Sequence, residues 1–265
     1  MISRQAGDTV RTVEKALKLL ELFDEAHPSF GLSALARRAD IDKATVLRML
    51  QDMAAAGLVE QDPASRNWRL GAGILRLARL REAAFPATGA LNPILARLAQ
   101  ETGETAHASL RAGADLGTVG VVESTRSNRV YIEPGLILPL HATASGLAYT
   151  AFARPDVPAE VLARPLAAHT AVTPTDPATL AARLEMVRAS GYACADQTYD
   201  ADVHGLAMPL FGPDGFAIGA LAVATPATRL TADLRRLILS ALADAAREAT
   251  LGMGGRIPDH HRIAA

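Results

Sequence analysis

The spacing of apolar residues predicts three helices in the first sixty positions of the chain. The first covers residues 12–23, and a break around Pro28 separates it from a short helix with Ser33 as its N-cap. After a turn at 38–41, residues 41–58 predict a third helix. The apolar positions are Val13, Ala16, Leu17 and Leu20 in the first helix, Leu35, Ala36 and Ala39 in the second, and Val46, Met49, Leu50 and Met53 in the third.

The residues after the third helix predict a β-hairpin. Residues 58–60 and 68–70 are strand-like runs on either side of the turn-forming segment 62–67. Two helices, a turn, a third helix and a hairpin in this order are typical of a winged helix-turn-helix. An amphipathic helix with two basic residues is by itself more often a solvated helix, so DNA binding is inferred here from the order of the elements.

The side of the third helix that faces away from its apolar stripe offers groups for DNA contact. Its first turn carries the groups best placed to meet phosphates and base edges in the major groove, while the hairpin is expected to reach the DNA backbone or the minor groove. The expected DNA contacts are Arg11, Ser33, Lys43, Ala44, Thr45, Leu47, Arg48, Arg66 and Arg69.

The second part of the chain has a mixed pattern. Residues 71–84 predict a linker helix, which is a candidate for self-association because a helix-turn-helix needs a two-fold partner to reach adjacent half-sites. From Thr88 onwards, short β-like runs alternate with helices, and Gly212–Gly215 has the preferred residues of a hairpin turn. This pattern predicts an α+β domain in which helices cover an antiparallel sheet.

Composition and charge narrow the class of protein. The chain has 265 residues, 49% of them hydrophobic and 21% charged, which is enough for a globular core and one or two domains. No apolar run approaches the ~20 residues of a membrane span, and no signal peptide pattern opens the sequence, so a cytoplasmic location is expected. The single cysteine, Cys194, excludes a disulfide framework and a cysteine-rich zinc site.

The net charge of −1 argues against indiscriminate binding of nucleic acid. Residues 1–82 hold 13 basic and 11 acidic side chains, a net of +2, which leaves a net of −3 for the remainder. This small asymmetry is compatible with a modest DNA-binding module joined to a module that does not bind DNA.

Six separated segments resemble the IclR family of bacterial transcription regulators. The resemblance runs from about Val10 to Gly254, and it implies a winged-helix DNA-binding domain, a dimerising linker and a GAF-like effector-binding domain. The segments are VRTVEKALKLLELF, GLSALARRADIDKATVLRML, WRLGAGILRLA, TGETAH, LPLHATASGLAYTAF and GYACADQTYDADVHGLAMPLFGPDGFAIGALAV.

With this resemblance, the chain divides into four parts. We expect a winged helix-turn-helix in residues 1–70, a linker and dimerisation helix in 71–86, an effector-binding domain in 87–255 and a flexible tail in 256–265. The expected partners are double-stranded operator DNA, a small organic acid and a second copy of the chain, with pairing of two dimers as a further state.

The recognition helix departs from its relatives at two positions. Where the family commonly has Lys-Ser-Thr-Val-His-Arg, this chain has the sequence KATVLR from Lys43 to Arg48. Ala44 and Leu47 replace two hydrogen-bonding residues, so a different base preference is expected, including apolar contact with a thymine methyl group.

The resemblance also implies a small-molecule site over the sheet. Ser145 and Gly146 open a helix whose free N–H groups favour a carboxylate, while Ala222 and Ala224 replace common serines and make the site less polar. A small organic acid with an apolar body, such as an aromatic ring, is therefore expected. The expected contacts are Val130, His141, Ala144, Ser145, Gly146, Asp196, Gly205, Leu206, Ala222 and Ala224.

Three alternatives remain open at this point. The residues Asp196, Asp200, Asp202, His204 and His141 have the chemistry of zinc or nickel ligands, although they surround a polar loop. A small-molecule-binding enzyme with a helical accessory domain would show turnover, but neither a G-x-S-x-G elbow nor a phosphate-binding glycine loop is present, and no cofactor or catalytic residue is predicted. A sensor that binds protein rather than DNA would show weak dependence on salt.

Overall fold

A computed structural model describes residues 3–24, 26–84 and 87–261 of the protein, without the side chains of residues 3–11, 81, 82, 84, 87 and 88. The chain divides into two compact units, residues 1–85 and 86–265. Across these described residues, no helix combines the length and the apolar character that crossing a membrane requires.

The first unit has the predicted winged helix-turn-helix. Helices α2 and α3 pack against each other, and the three short strands form an antiparallel sheet in the order β1-β3-β2. The core contains all four predicted apolar positions of α3 together with Trp68 of the hairpin. The elements are α1 Ser3–Leu20, β1 Ser29–Phe30, α2 Leu32–Ala39, α3 Lys43–Ala55, β2 Val59–Gln61, β3 Trp68–Leu70 and α4 Ala72–Ala84.

Two local predictions in this unit are corrected by the structure. The buried face of α1 is built on Leu19, which is fully buried, whereas Val13 and Leu17 are 57% and 54% exposed. Both faces satisfy a helical period, and the sequence alone does not say which one meets the core. Gly31, and not Ser33, is the N-cap of α2, and it provides no side-chain hydrogen bond.

The second unit is an α+β domain built on a six-stranded antiparallel sheet in the order β6-β5-β4-β9-β8-β7. Helices α5 and α9 pack on one face of the sheet, while α6 and α8 belong to a separate core on the other. The elements are α5 Ala87–Thr102, β4 Thr105–Ala112, β5 Asp115–Val122, β6 Ile137–Leu138, α6 Ala144–Phe152, α7 Asp156–Leu162, α8 Pro177–Ser190, β7 Ala193–Asp196, β8 Val203–Phe211, β9 Ala217–Pro226 and α9 Ala232–Gly252.

Strand register decides which residues face α6. On β4, Ala106 and Ala108 point into the core beneath α5 and α9, so His107 between them points to the opposite face. His107 pairs with Ala222 on β9, and Ala224 pairs with Gly205 on β8. The alternation therefore brings residues from three central strands to the face that α6 covers.

Residues 256–261 do not form the expected flexible tail. The backbone N–H of Arg256 donates to the carbonyl of Gly212, and Pro258 is buried. The ring of His261 contacts the rings of Phe152 and Phe211, with centroids 4.9 and 5.0 Å away. Its Nε2 is 3.0 Å from the carbonyl oxygen of Gly191. Residues 262–265 lie outside the described part of the chain.

Candidate DNA-binding face and effector cavity

The start of α3 is fixed by an N-cap and presents the predicted contact residues. Asp42 accepts a hydrogen bond from the backbone N–H of Thr45 at 2.8 Å, and hydrogen bonding by Thr45 lowers the pKa of this carboxyl. Lys43, Ala44 and Arg48 are exposed. The first two turns of this capped helix therefore offer two cations and a methyl group, which are groups that can contact the major groove.

Two predicted contacts on the helices have less freedom. Leu47 is half-buried and packs against the core of the first unit, and Thr45 is also half-buried. Ser33 is exposed in the first turn of α2. The side chain of Arg11 lies outside the described residues, so its expected DNA contact stays a prediction.

The hairpin holds its two arginines differently. Arg66 is exposed at the turn with a left-handed φ of 60°, and its carbonyl accepts a hydrogen bond of 2.8 Å from Gln61. Hydrogen bonds from Ser65 to Asp62 stiffen the same turn and lower the pKa of Asp62. Arg69, in contrast, forms an ion pair with Glu60 across the hairpin, with Nε 2.7 Å from Oε1. Arg66 is thus the better placed of the two for a partner outside the chain.

A cavity of about 110 Å³ lies in the second unit, between the sheet and the first turn of α6. This volume is somewhat below, but of the same order as, the ~150 Å³ of an apolar cavity that is known to hold benzene. Six expected contacts line it, namely Val130, Ala144, Ser145, Gly205, Ala222 and Ala224. Ten further residues line it that were not assigned to the site from the sequence: His107, Tyr131, Ile132, Leu136, Leu138, Thr143, Ala195, Tyr199, Asp200 and Val203.

Four expected contacts lie away from this cavity. Leu206 is 1% exposed in the core beneath α5 and α9, because it alternates with Gly205 along β8. Gly146 faces backbone instead, since a Cβ there would lie 2.6 Å from atoms of Pro139 and Leu140.

The other two are polar residues with partners of their own. Asp196 is exposed at the end of β7, with its Oδ1 2.8 Å from Nδ1 of His204. The Nε2 atom of His141 lies 2.9 Å from the carbonyl oxygen of Ala167, and its ring is 5.6 Å from that of His169. Asp200, four residues beyond Asp196, is the carboxylate that reaches the cavity wall.

The N-terminus of α6 forms one wall of the cavity. Thr143 is the N-cap, and its hydroxyl oxygen accepts a hydrogen bond of 3.0 Å from the N–H of Gly146. For the N–H groups of Ala144 and Ser145, no acceptor is found among the described residues. Two free donors at the positive end of a helix dipole make this wall suitable for a carboxylate.

A buried histidine forms part of the opposite wall. The Nε2 atom of His107 lies 3.2 Å from Oγ of Ser145, and burial lowers the pKa of His107 to about 4, so the imidazole is neutral at pH 7. The signal for this residue in the sequence is a single polar side chain between Ala106 and Ala108, and core histidines produce the same pattern.

The residues considered for a metal do not converge. Among the described residues, no three His, Cys, Asp or Glu side chains come together in an arrangement that would hold an ion. Asp196 pairs with His204, while Asp200 accepts the backbone N–H of Asp202 at 2.9 Å. The structure thus offers no basis for assigning a metal site to this group.

A winged helix-turn-helix joined in one chain to an α+β unit with a cavity is the domain organisation of a transcriptional regulator with an effector domain. The chain belongs to the IclR family. The family profile for the IclR helix-turn-helix domain matches residues 12–63, and the profile for the bacterial transcriptional regulator IclR C-terminal domain matches residues 87–250. These matches confirm the fold class expected from the sequence, and they identify a regulator and not an enzyme.

Similar proteins support this assignment along most of the chain. The HTH-type transcriptional regulator BhcR of Paracoccus denitrificans is 31% identical over 255 residues, which cover 93% of this chain and 88% of the relative. An IclR-type regulator of Silicibacter sp. TM1040 has a solved structure with 42% identity and a TM-score of 0.85, covering 95% of this chain and 99% of that one.

A more distant neighbour shares the fold. It is an IclR homolog from Microbacterium hydrocarbonoxydans that was crystallised in complex with 4-hydroxybenzoate. Its identity to this chain is 24%, its TM-score is 0.77, and the alignment covers 92% of this chain and 99% of the homolog.

Proposed function

We propose that this protein binds a specific operator as a homodimer and that a small organic acid in the cavity changes its affinity for DNA. The observation that carries the proposal is the capped, exposed first turn of α3 in the same chain as an effector cavity. Lys43, Thr45 and Arg48 supply phosphate and base contacts, and Arg66 supplies a contact from the wing. Whether the ligand releases or recruits DNA depends on which state of the protein it binds more tightly.

The proposed effector is a small organic acid with an apolar body. The free N–H groups of Ala144 and Ser145 provide an anion site, and Ala222, Ala224 and Leu138 provide apolar walls. The complex of the Microbacterium hydrocarbonoxydans homolog with 4-hydroxybenzoate is an example of an aromatic acid bound by a protein of this fold.

The proposed homodimer rests on apolar side chains exposed in the first unit. Val13 and Leu17 of α1 are exposed, as are Leu75, Leu77 and Leu80 of α4. Monomeric proteins seldom leave so many large apolar side chains in solvent within two helices, and a second copy of the chain is the partner we propose for them. Such a dimer, with residues 71–86 as its linker, would present two copies of α3 to half-sites about 34 Å apart.

The test is a binding titration with DNA selected by the full-length protein from random duplexes. We expect the parent protein to bind the selected DNA with an affinity that falls steeply with salt, because phosphate contacts release counterions. Arg48→Ala should weaken binding about tenfold or more. Arg236→Ala is the control, since it removes an exposed arginine of the second unit that forms an ion pair with Asp233.

The outcomes separate the proposal from its alternatives. Equal binding by the parent and Arg48→Ala would remove α3 as the recognition element. Failure to select any DNA would favour a sensor that acts on another protein. Analytical ultracentrifugation of the parent and of Leu80→Glu tests the proposed dimer. We expect the parent to sediment as a dimer and the variant to dissociate into monomers.

A further inference from the structure

His107 occupies a special place in the wall of the effector cavity. It is 7% exposed, and it pairs with Val121 on β5 and Ala222 on β9. Its ring lies on the face of the sheet that α6 covers. One ring nitrogen, Nε2, has Ser145 as its neighbour at 3.2 Å. The imidazole is thus held in position by a residue of the opposite wall.

The other ring nitrogen of His107 has no hydrogen-bond partner among the residues that the structure describes. This atom, Nδ1, is buried. Most buried polar atoms in folded proteins do have a partner, either in the protein or in an ordered water molecule, and the remainder call for an explanation. Because His107 lines the cavity, a molecule in the cavity is the natural source of the missing partner.

The charges around the cavity decide what kind of group this partner is. No arginine or lysine is present among the residues that line it, and Asp200 is the one lining residue with a formal charge at pH 7. His107 itself is neutral because burial lowers its pKa to about 4. One carboxylate of a ligand can bind to the free N–H groups at the N-terminus of α6. A second carboxylate beside His107 would be buried without a cation, which is strongly unfavourable.

We propose that His107 determines effector specificity by forming a hydrogen bond through Nδ1 to an uncharged oxygen substituent of the ligand. The preferred effectors are then monocarboxylic acids with a hydroxyl or carbonyl group, rather than unsubstituted acids or dicarboxylic acids. This inference rests on the proposed effector role of the cavity.

The experiment is calorimetric titration of the full-length protein with two matched series of acids. The aromatic series is benzoate, 3-hydroxybenzoate, 4-hydroxybenzoate and isophthalate, and the aliphatic series is butyrate, 3-hydroxybutyrate and glutarate. In at least one series we expect a hydroxy acid to bind about tenfold more tightly than the unsubstituted acid, as one added hydrogen bond to a buried group implies. The dicarboxylic acid of that series should bind most weakly.

Variants then assign the preference to His107. His107→Leu should reduce the ratio between hydroxy and unsubstituted acid to near one. His107→Asn, whose amide group takes the position of Nδ1, should retain most of the ratio. His260→Gln changes an exposed histidine of the same unit and should leave the ratio unchanged. A purely structural role for His107 would weaken all acids alike without changing their ratio.

Three results would overturn the inference. The first is equal binding of hydroxy and unsubstituted acids by the parent, the second is tightest binding of a dicarboxylic acid, and the third is an unchanged ratio in His107→Leu. Each of them would leave the proposed effector class intact. If no acid of either series binds at millimolar concentration, the proposed effector class fails and the inference fails with it. If His107→Leu does not fold, the order of affinities of the acids for the parent protein still tests the inference.

Discussion

The Oγ atom of Ser145 lies 3.2 Å from Nε2 of His107, and this contact connects the first turn of α6 to the central strand β4. Each side chain is almost completely buried. Because α6 begins at this contact, the position of its free N–H groups depends on a side chain from the sheet. The two walls of the cavity are therefore coupled through one polar contact.

Acid should destabilise the protein through His107. Its pKa is 6.5 in the unfolded chain and about 4 in the folded protein, so between these values the unfolded state binds more protons. The contribution of His107 to stability is complete above pH 6.5 and is lost as the pH falls towards 4, at a cost of about 3 kcal/mol. Urea unfolding at several pH values should show this slope in the parent and a smaller one in His107→Gln. An identical slope in both proteins would contradict the neutral, buried histidine.

The two wing arginines should differ in their effect on DNA binding. Arg66→Ala should lower affinity and reduce the salt dependence by about one phosphate contact, whereas Arg69→Ala should have a smaller effect because Glu60 already pairs with that arginine. Glu60→Gln should tighten binding, since it frees Arg69 and removes a negative charge beside the DNA. Fluorescence anisotropy at two salt concentrations measures all three changes, and the reverse order of the two arginine variants would show that the pair opens on DNA.

Gly146→Ala should destabilise the second unit by about 1–3 kcal/mol, because the new methyl group would overlap backbone atoms of Pro139 and Leu140. Gly252→Ala is the matched control at the end of α9, where a Cβ meets nothing within 4 Å. It should be neutral or stabilise the helix by up to about 0.5 kcal/mol. Thermal unfolding of both variants distinguishes a packing requirement at Gly146 from a general effect of adding a methyl group.

Neighbouring histidines near the C-terminal end should have unequal effects on stability. His261→Ala removes two edge-to-face ring contacts and a polar contact to Gly191, and it should cost about 1–2 kcal/mol. His260→Ala changes an exposed side chain next to it and should have little effect. Equal melting temperatures for the two variants would mean that residues 256–261 do not support the domain in solution.

The helix-turn-helix was predictable because its information is local. The N-cap Asp42 and the buried positions Val46, Met49, Leu50 and Met53 follow directly from helical spacing, and the structure confirms them. The error at α1 has a physical cause, since an apolar residue on the outer face, such as Leu17, gives the same periodic signal as one in the core.

The cavity was only partly predictable because strand register and packing decide which neighbours reach it. Gly205 lines the cavity, whereas Leu206 points to the opposite face of the same strand. Asp196 ends a strand and pairs with His204, so the carboxylate at the cavity comes from Asp200 in the following loop. These features depend on how the strands pair and pack, and neither the composition nor the spacing of residues along the chain reveals them.

The order of strands in the second unit has a consequence for how the protein is made. The centre of the sheet pairs Thr105–Leu110 of β4 with Gly219–Ala224 of β9, so its halves come from opposite ends of that unit. The core of the first unit, by contrast, is drawn from the segment between Ala16 and Trp68. During translation, all residues of the core of the first unit have left the ribosome long before β9 can complete the sheet of the second unit. A chain that stops before β9 would therefore carry the residues that we propose for DNA contact without a closed cavity in the second unit.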